Sequence, residues 1–241
     1  PHWSERIPIF MPPESVDNPR KTGVIKVLIL GSGFGGMYTA RHLMRYLNGN
    51  PDVEVTIISD DNALVFSPLL QEVVVGAIGP QHISLPVRKV RWHDRFTFVQ
   101  SHIDKIDLKD SKVLTNAGSF DFDYLVIALG SVRDMSGLKL EGGNIFNLKT
   151  LSDARQIKNH IIKIFEEANI EKDVERRKKL LTFVISGGGY IGVQLVSALR
   201  DFINQDLKKH YRNVGSENIK LLLIEQTPKI IPTLNTKLGA Y

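Results

Sequence analysis

An apolar run, a glycine turn and a stripe of apolar residues at helical spacing follow one another in VLILGSGFGGMYTARHL, residues 27–43. The glycines Gly31, Gly33 and Gly36 fit the spacing G-x-G-x-x-G. In a strand-turn-helix unit the first glycine permits a tight turn, the second lets a pyrophosphate approach the backbone, and the third lets helix and strand pack closely. The stretch predicts a βαβ unit that binds a dinucleotide, with a purely structural tight turn as the alternative.

The same pattern returns in LTFVISGGGYIGVQLVSAL, residues 181–199, where Gly187, Gly189 and Gly192 have the same spacing. Each copy has a strand before it and an amphipathic helix after it, which is the context that the phosphate-binding motif requires. A chain with two such units is built to hold two dinucleotides, and FAD with NADH is the usual pair that exchanges a hydride. The other turn residues that we assign to these candidate cofactor sites are Phe34, Gly35, Tyr190 and Ile191.

An acidic residue is expected at the end of the second strand of each unit, where its carboxylate accepts hydrogen bonds from an adenosine ribose. In the first unit we assign this role to Asp60, with a plain turn acid as the alternative; Ser59 stands at the strand end itself and Asp61 follows. In the second unit the role falls to Glu225. A carboxylate there would repel the 2′-phosphate of NADP, so the second site should prefer NAD(H).

The composition restricts the class of protein. With 241 residues, 42% of them apolar, the chain can form one large or two ordinary globular domains. No apolar run reaches the roughly 18–20 residues that cross a bilayer, and residues 1–20 contain five prolines without a signal-peptide core. There are no cysteines, which excludes disulfides, cysteine-ligated metals and a catalytic dithiol within these residues.

The net charge of +5 allows anionic partners. Nucleic-acid binding is not expected, because no motif for it occurs and aromatic residues are not interleaved with the basic ones. The densest basic stretch, 175–179, indicates a solvated helix face, with a lipid or polyanion patch as the alternative. No metal site is expected, since the seven histidines lack ligand spacing, and Trp92-His93-Asp94 is interpreted as a surface loop rather than an acid-base pair.

These patterns predict an α/β fold with two Rossmann-like dinucleotide-binding βαβ units. Strands are predicted at 53–59, 96–100, 113–115, 124–129, 181–186 and 219–224. A long helix should begin at Ser152 as its N-cap, and the second glycine helix should end near Phe202. The predicted segments are an extended N-terminal arm (1–23), the N-terminal part of an FAD-binding domain (24–150), a linking helix (151–180) and an incomplete NADH-binding domain (181–241).

Two further stretches carry a resemblance to a known family. They are FSPLLQEV, residues 66–73, and FDYLVIALGS, residues 122–131. Together with the two glycine motifs they make residues 24–241 resemble the two-dinucleotide-binding flavoprotein oxidoreductases, and most closely the type II NADH:quinone dehydrogenases. The pattern F-x-P-L-L-x-E-V with the strand end A-x-G is more specific than either glycine motif alone.

The resemblance implies roles for particular residues. The first turn, with Asp60, would hold the ADP part of FAD, and the second turn, with Glu225, would bind NADH. Pro68 and Leu69 would lie near the isoalloxazine ring; a loop packed on a helix is the alternative. The strand end that passes close to FAD would comprise Ala128 and Gly130.

The sequence departs from the family pattern in two places. A glutamate usually stands where this chain has Gln194, near the nicotinamide and the flavin; an amide can hydrogen-bond there but cannot take a proton. No residue is therefore assigned as acid, base or nucleophile. Family members also return from the NADH domain to complete the FAD site with an aspartate, before a C-terminal region that meets quinone and membrane. Because the sequence ends at Tyr241, we expect it to be the N-terminal half.

Within this superfamily, the absence of cysteine disfavours dithiol reductases and sulfide:quinone oxidoreductases. We therefore expect the complete protein to pass a hydride from NADH to FAD and two electrons to a quinone or another small acceptor. A non-catalytic FAD/NADH-binding scaffold or sensor subunit is the alternative. The expected location is the cytoplasm; attachment to the inner face of the cell membrane through the missing C-terminal region, and a homodimer, are left open.

Overall fold

The computed structural model describes residues 23–90, 95–132 and 144–231, so the predictions for the arm at 1–22 and for Trp92-His93-Asp94 lie outside the described residues. The described strands are β1 (Ile25–Leu30), β2 (Val53–Ser59), β3 (Ala63–Val65), β4 (Ser84–Pro86), β5 (Thr97–Gln100), β6 (Ile103–Asp107), β7 (Lys112–Thr115), β8 (Gly118–Asp121), β9 (Tyr124–Ile127), β10 (Thr182–Ser186) and β11 (Lys220–Ile224). The described α-helices are α1 (Phe34–Leu47), α2 (Leu70–Val74), α3 (Leu151–Ile170), α4 (Val174–Leu180), α5 (Tyr190–Phe202) and α6 (Lys208–His210).

The first unit is built on a four-stranded parallel sheet in the order β5-β2-β1-β9. Val27 of β1 pairs with Val55 of β2 on one side and with Tyr124 of β9 on the other. Because α1 connects β1 to the neighbouring parallel strand β2, these three elements form the predicted βαβ unit. The strand predicted at 53–59 is confirmed at both ends.

Both faces of β1 are covered, which explains its unbroken apolar run. Ile29 packs in one core with Met37 of α1. Its neighbours Leu28 and Leu30 point to the other face and pack in a second core with Val113 of β7. The antiparallel sheet β6-β7-β8 therefore covers the face of the main sheet opposite α1. Sequence reasoning found β7 but missed β6 and β8, which are short and largely polar.

A second parallel βαβ unit is formed by β10, α5 and β11, in which Thr182 pairs with Lys220 and Ser186 with Ile224. The helix α5 ends at Phe202, as predicted, and the chain continues through a single π-helical segment into α6. The α/β fold class with two Rossmann-like units is thus confirmed.

The prediction of one linking helix over 151–180 is wrong in two respects. Its N-cap is Thr150 rather than Ser152, because the side chains and backbone N–H groups of Thr150 and Asp153 bond reciprocally in a capping box. The helix is also interrupted, because a new helix starts after Asp173. The Asp173 carboxylate accepts hydrogen bonds from two backbone N–H groups in the first turn of this new helix. The basic stretch lies on this short α4, which buries none of its residues.

The segment that carries F-x-P-L-L-x-E-V packs against elements of the second half of the chain. Leu70 and Val74 of α2 share one core with Phe165 of α3 and Leu199 of α5. This shared core brings the end of that segment close to the helix that follows the second glycine turn. None of the helices in the described ranges has the length and apolar character that crossing a membrane requires.

Candidate dinucleotide sites

Two glycines of the first turn are required by the fold itself. Gly31 has a φ of +103°, which L side chains rarely adopt, and a Cβ there would lie 2.3 Å from the carbonyl oxygen of Ala128. A Cβ on Gly36 would lie 1.8 Å from the carbonyl oxygen of Gly31. The absence of a side chain at Gly36 lets α1 pack closely against the end of β1, which is the role of the third glycine in the motif.

The second turn repeats this geometry. Gly187 has a φ of +108°, and a Cβ on Gly192 would lie 1.9 Å from the carbonyl oxygen of Gly187. The third glycines are therefore constrained in the same way in both units, and the first glycines share a positive φ, although only Gly31 is also restricted by a close neighbour, Ala128.

Neither the backbone conformation nor a close contact requires a glycine at the middle position of each motif. Gly33 and Gly189 both have a φ of −74° and an extended backbone, and a Cβ on either would meet nothing within 4 Å. The space next to each backbone is open. A pyrophosphate that lies against the turn needs this uncovered backbone, so both positions fit the phosphates of a dinucleotide.

Each open space lies at the N-terminus of a helix. Gly33 is the N-cap of α1 and Gly189 is the N-cap of α5, and neither helix has a side-chain cap or an acidic residue in its first turn. The first backbone N–H groups of a helix have no acceptor within it. These donors and the positive end of the helix dipole favour a bound anion, which agrees with phosphate binding at the same place.

The carboxylate of the second unit is held at the strand end by hydrogen bonds. The N–H of Gly187 donates to the carbonyl of Ile224 at 2.8 Å, and Glu225 follows directly. The backbone N–H groups of Thr227 and Gly188 donate to the Glu225 carboxylate and lower its pKa below the ordinary value. Glu225 is therefore ionised at neutral pH beside the second turn.

The equivalent position in the first unit is Ser59. The N–H of Gly31 donates to the carbonyl of Ile58 at 2.7 Å, so the residue after Ile58 corresponds to Glu225. The hydroxyl of Ser59 is buried and lies 3.0 Å from the hydroxyl of Ser32, which donates to the carbonyl oxygen of Asp61 at 2.7 Å. A pair of hydroxyl groups thus takes the place that the carboxylate and the Gly188 N–H take in the second unit.

Asp60 lies one position beyond this point. Its carboxylate is 63% exposed and lies 3.1 Å from Nδ1 of His102, which follows β5. The structure therefore does not bring Asp60 to the strand-end position that we assigned to a ribose acid. The sequence analysis placed Ser59 at the strand end but assigned the ribose role to Asp60, which supplies a carboxylate; the hydrogen bond from Gly31 to Ile58 shows that Ser59 corresponds to Glu225. A contact between Asp60 and a ribose stays a prediction.

The segment 66–73 lies beside the first turn. The ring of Phe66 meets the ring of Phe34 edge-on, with 5.7 Å between the centroids. Pro68 is exposed and Leu69 is half-buried against the core that contains α2. Phe66 thus contacts the first turn, and a position of Pro68 and Leu69 near the isoalloxazine ring stays a prediction.

Gln71 connects this segment to the second unit. Its amide nitrogen donates to the carbonyl oxygen of Pro68 at 2.7 Å and lies 3.4 Å from Oε1 of Gln194 on α5. The tertiary structure therefore brings Gln194 close to the segment that sequence reasoning placed near the flavin. Sequence reasoning missed Gln71, because a glutamine inside an apolar helix gives no signal of its own.

The end of β9 lies directly against the first turn. The N–H of Ala128 donates to the carbonyl of Leu30 at 2.8 Å, and the Ala128 Cβ is 3.4 Å from where a Cβ on Gly35 would lie. Gly130 has a φ of +76° with open space around its Cα. The exposed side chains that complete the two turns are those of Phe34, Tyr190 and Ile191.

The described residues contain no group of three or more histidines, aspartates or glutamates that could hold a metal ion.

A model of the family described as pyridine nucleotide-disulphide oxidoreductase matches residues 25–241. The chain belongs to this family. Its cysteine-free sequence shows that a member of this family need not carry a redox-active disulfide in these residues.

The chain is similar to curated proteins named NADH dehydrogenase or NADH:quinone oxidoreductase. It is 34% identical over 221 residues to a probable NADH dehydrogenase of Dictyostelium discoideum, which covers 88% of this chain and 48% of the relative. It is 30% identical over 213 residues to the type II NADH:quinone oxidoreductase of Staphylococcus aureus, covering 88% and 52%. The chain thus spans about half the length of the curated relatives it matches.

A solved structure has the same fold as this chain. NDH2 from Plasmodium falciparum, in complex with NADH, superimposes with a TM-score of 0.78 at 24% sequence identity, covering 90% of this chain and 44% of that chain. Most of this chain therefore shares its fold with part of NDH2.

Proposed function

We propose that this chain binds FAD at the first glycine turn and NADH at the second. We also propose that the complete protein is an NADH dehydrogenase that passes a hydride from NADH to the flavin and two electrons to a quinone-type acceptor. The observation that carries the proposal is the open backbone at Gly33 and Gly189, each at the uncapped N-terminus of a helix, where it fits the phosphates of a dinucleotide. The names of the relatives, NADH dehydrogenase and type II NADH:quinone oxidoreductase, support the choice of ligands.

In this proposal the protein's own residues mainly bind and orient. The uncapped N-termini of α1 and α5 hold the phosphates, and Glu225 accepts hydrogen bonds from the ribose of NADH. FAD, when bound, supplies the hydride-accepting chemistry. Gln71 hydrogen-bonds to the Pro68 carbonyl and lies next to Gln194, so that Gln194 places an uncharged amide between the two units. This amide can hold a hydrogen bond but cannot exchange a proton.

The domain assignment follows as part of this proposal. The FAD-binding part comprises 24–150 and the NADH-binding part begins at 181, with α3 and α4 between them. A quinone acceptor, peripheral contact with the inner face of a membrane and a homodimer are proposed for the complete protein rather than for these residues.

The absorption spectrum of the purified chain tests the proposal. We expect visible flavin bands after reconstitution with FAD, and we expect these bands to bleach on anaerobic addition of NADH. Titration with ADP-ribose, which lacks the nicotinamide, measures the second site separately. Failure to bind both FAD and ADP-ribose would contradict the assignment of the two turns. Binding of both ligands without bleaching would favour the scaffold or sensor role that the uncharged Gln194 makes the second candidate.

Glu225 should make the second site selective for NADH over NADPH. We expect Glu225→Gln to weaken NADH binding by about tenfold or more, since a neutral amide replaces a charge-assisted hydrogen bond to the ribose. The preference over NADPH should shrink, because the negative charge that repels the 2′-phosphate is gone. Isothermal titration with both nucleotides measures the two effects.

The same carboxylate gives an expected pH dependence. Because hydrogen bonds lower the pKa of Glu225, its contribution to NADH binding should be constant around neutral pH and should fall only in acid, below the ordinary range of a glutamate. Glu54→Gln is the matched control, since Glu54 is exposed near the start of β2 and pairs in register with Lys26. Equal losses in the two variants would contradict a specific role for Glu225.

A further inference from the structure

The segment that follows β11 folds back onto the second glycine turn, and we call its residues 225–231 the strap. At the start of the strap, the carboxylate of Glu225 accepts a hydrogen bond from the N–H of Gly188. At its end, the N–H of Ile231 donates to the carbonyl oxygen of Gly188 at 2.7 Å. Both backbone groups of Gly188 are therefore bonded to the strap, which fixes the turn and the strand-end carboxylate relative to each other.

Thr227 is the residue of the strap that holds the other oxygen of this carboxylate. Its backbone N–H donates to Oε1 of Glu225 at 2.9 Å, and its hydroxyl lies 3.1 Å from the same oxygen. The hydroxyl also lies 2.9 Å from the carbonyl oxygen of Lys229. Because both of these oxygens can only accept, the single hydrogen of the Thr227 hydroxyl is shared between the carboxylate and the backbone of the strap.

The first unit separates what the turn requires from what Thr227 adds. There the N–H of Asp61 donates to the Ser59 hydroxyl at 3.3 Å, two residues back along the chain, as the N–H of Thr227 does to Glu225. This backbone bond occurs in both units, so it is a property of the turn that follows the strand. Asp61 has no hydroxyl to donate, so the side-chain bond of Thr227 belongs to the second unit alone.

The bonds to Glu225 leave a defined place for a ribose. A carboxylate offers about four acceptor positions, two on each oxygen. The N–H and the hydroxyl of Thr227 occupy Oε1, and the N–H of Gly188 occupies one position on Oε2. The remaining position lies on Oε2, the oxygen next to the glycine turn, and a ribose hydroxyl can donate there.

We infer that Thr227 is a positioning residue whose hydroxyl holds Oε1 of Glu225, directs Oε2 toward the adenosine ribose and thereby strengthens the preference of the second site for NADH over NADPH. The inference rests on the proposed NADH site at the second turn, and it adds a residue that lies outside both the strand end and the glycine motif. A carboxylate held in this orientation cannot rotate away from a 2′-phosphate, so the charge repulsion acts fully. Without the hydroxyl, the carboxylate keeps one backbone bond at Oε1 and gains freedom to rotate.

Removal of the Thr227 hydroxyl tests this inference on the complete 241-residue chain, by isothermal titration with NADH, ADP-ribose and NADPH. Thr227→Val keeps the branched shape and the backbone N–H, and the exposed position should leave folding unaffected. We expect NADH and ADP-ribose to bind about threefold to fivefold more weakly, the effect of one hydrogen bond, while NADPH binding stays the same or becomes tighter. Equal losses for NADH and ADP-ribose would assign the effect to the adenosine end that both ligands share. Thr227→Ser keeps the hydroxyl and should retain the parent affinities.

Thr97→Val is the matched control, because Thr97 is an exposed threonine on β5 of the first unit; it should bind all three ligands like the parent chain. In the Glu225→Gln chain, Thr227→Val should cause no further loss of NADH binding, because no carboxylate is left to orient.

Parent-like binding of NADH and NADPH by Thr227→Val would overturn the inference. An equal loss in Thr227→Ser, or the full additional loss in the Glu225→Gln chain, would also overturn it. If Glu225→Gln alone leaves NADH binding unchanged, the proposed ribose contact itself fails, which distinguishes the two failures.

Discussion

Gly36→Ala is expected to destabilise the first βαβ unit by about 3 kcal/mol or more. An alanine in a helix normally gains about 0.8–1 kcal/mol over glycine, but the Cβ at this position would lie 1.8 Å from the carbonyl oxygen of Gly31. The backbone of α1 and the turn must then move apart. In a domain of this size about 3 kcal/mol corresponds to a decrease of roughly 6–12 °C in the unfolding temperature, measurable by circular dichroism.

Gly35→Ala is the matched control for this prediction, because it changes the neighbouring residue of the same helix. A Cβ there would make only an ordinary contact of 3.4 Å with the Cβ of Ala128. The helix propensity of alanine should therefore leave this variant as stable as the parent chain or slightly more stable. Similar unfolding temperatures for the two variants would show that the close approach of α1 to Gly31 does not determine stability. The second unit offers the same test in Gly192→Ala, whose Cβ would lie 1.9 Å from the Gly187 carbonyl oxygen.

Gly33→Ala and Gly189→Ala are expected to separate the two cofactors without unfolding the chain. Both glycines have a φ that alanine adopts freely, and neither Cβ would meet a protein atom within 4 Å. The added methyl group would occupy the space that the pyrophosphate needs. We expect Gly33→Ala to lower FAD affinity by about 100-fold, or about 2.7 kcal/mol, and to leave ADP-ribose binding intact. Gly189→Ala should have the opposite effect.

Flavin fluorescence and calorimetric titration with ADP-ribose measure these two affinities, and thermal unfolding confirms that both variants remain folded. Each variant serves as the control for the other, because the substitutions are chemically identical and lie in corresponding turns. If Gly33→Ala binds FAD like the parent chain, the phosphates do not lie against this turn. A loss of both cofactors in either single variant would mean that the two sites are not independent.

Much of the candidate site follows from local patterns in the sequence. A strand, three glycines and an amphipathic helix follow one another within residues 25–47 and again within 182–202. The constraints on Gly31, Gly36, Gly187 and Gly192 arise within those residues and the strand beside them. The strand end at Ala128 was also recognisable, since it carried the family resemblance. The interruption at 171–173 was missed because 151–180 was predicted as one helix, whereas the carboxylate of Asp173 caps the first turn of a new helix.

What the sequence by itself determined is therefore the existence of two dinucleotide-binding units, because the chemistry of each glycine turn depends on residues that are close in the chain. Only the tertiary structure decided which residue of the first unit corresponds to Glu225 and which side chains meet between the units. Strand register distinguished Ser59 from Asp60 by a single position. The packing of α2 on α5 brought Gln71 to Gln194 across 123 residues. Both outcomes depend on long-range pairing, for which hydrophobic periodicity and residue spacing carry no information.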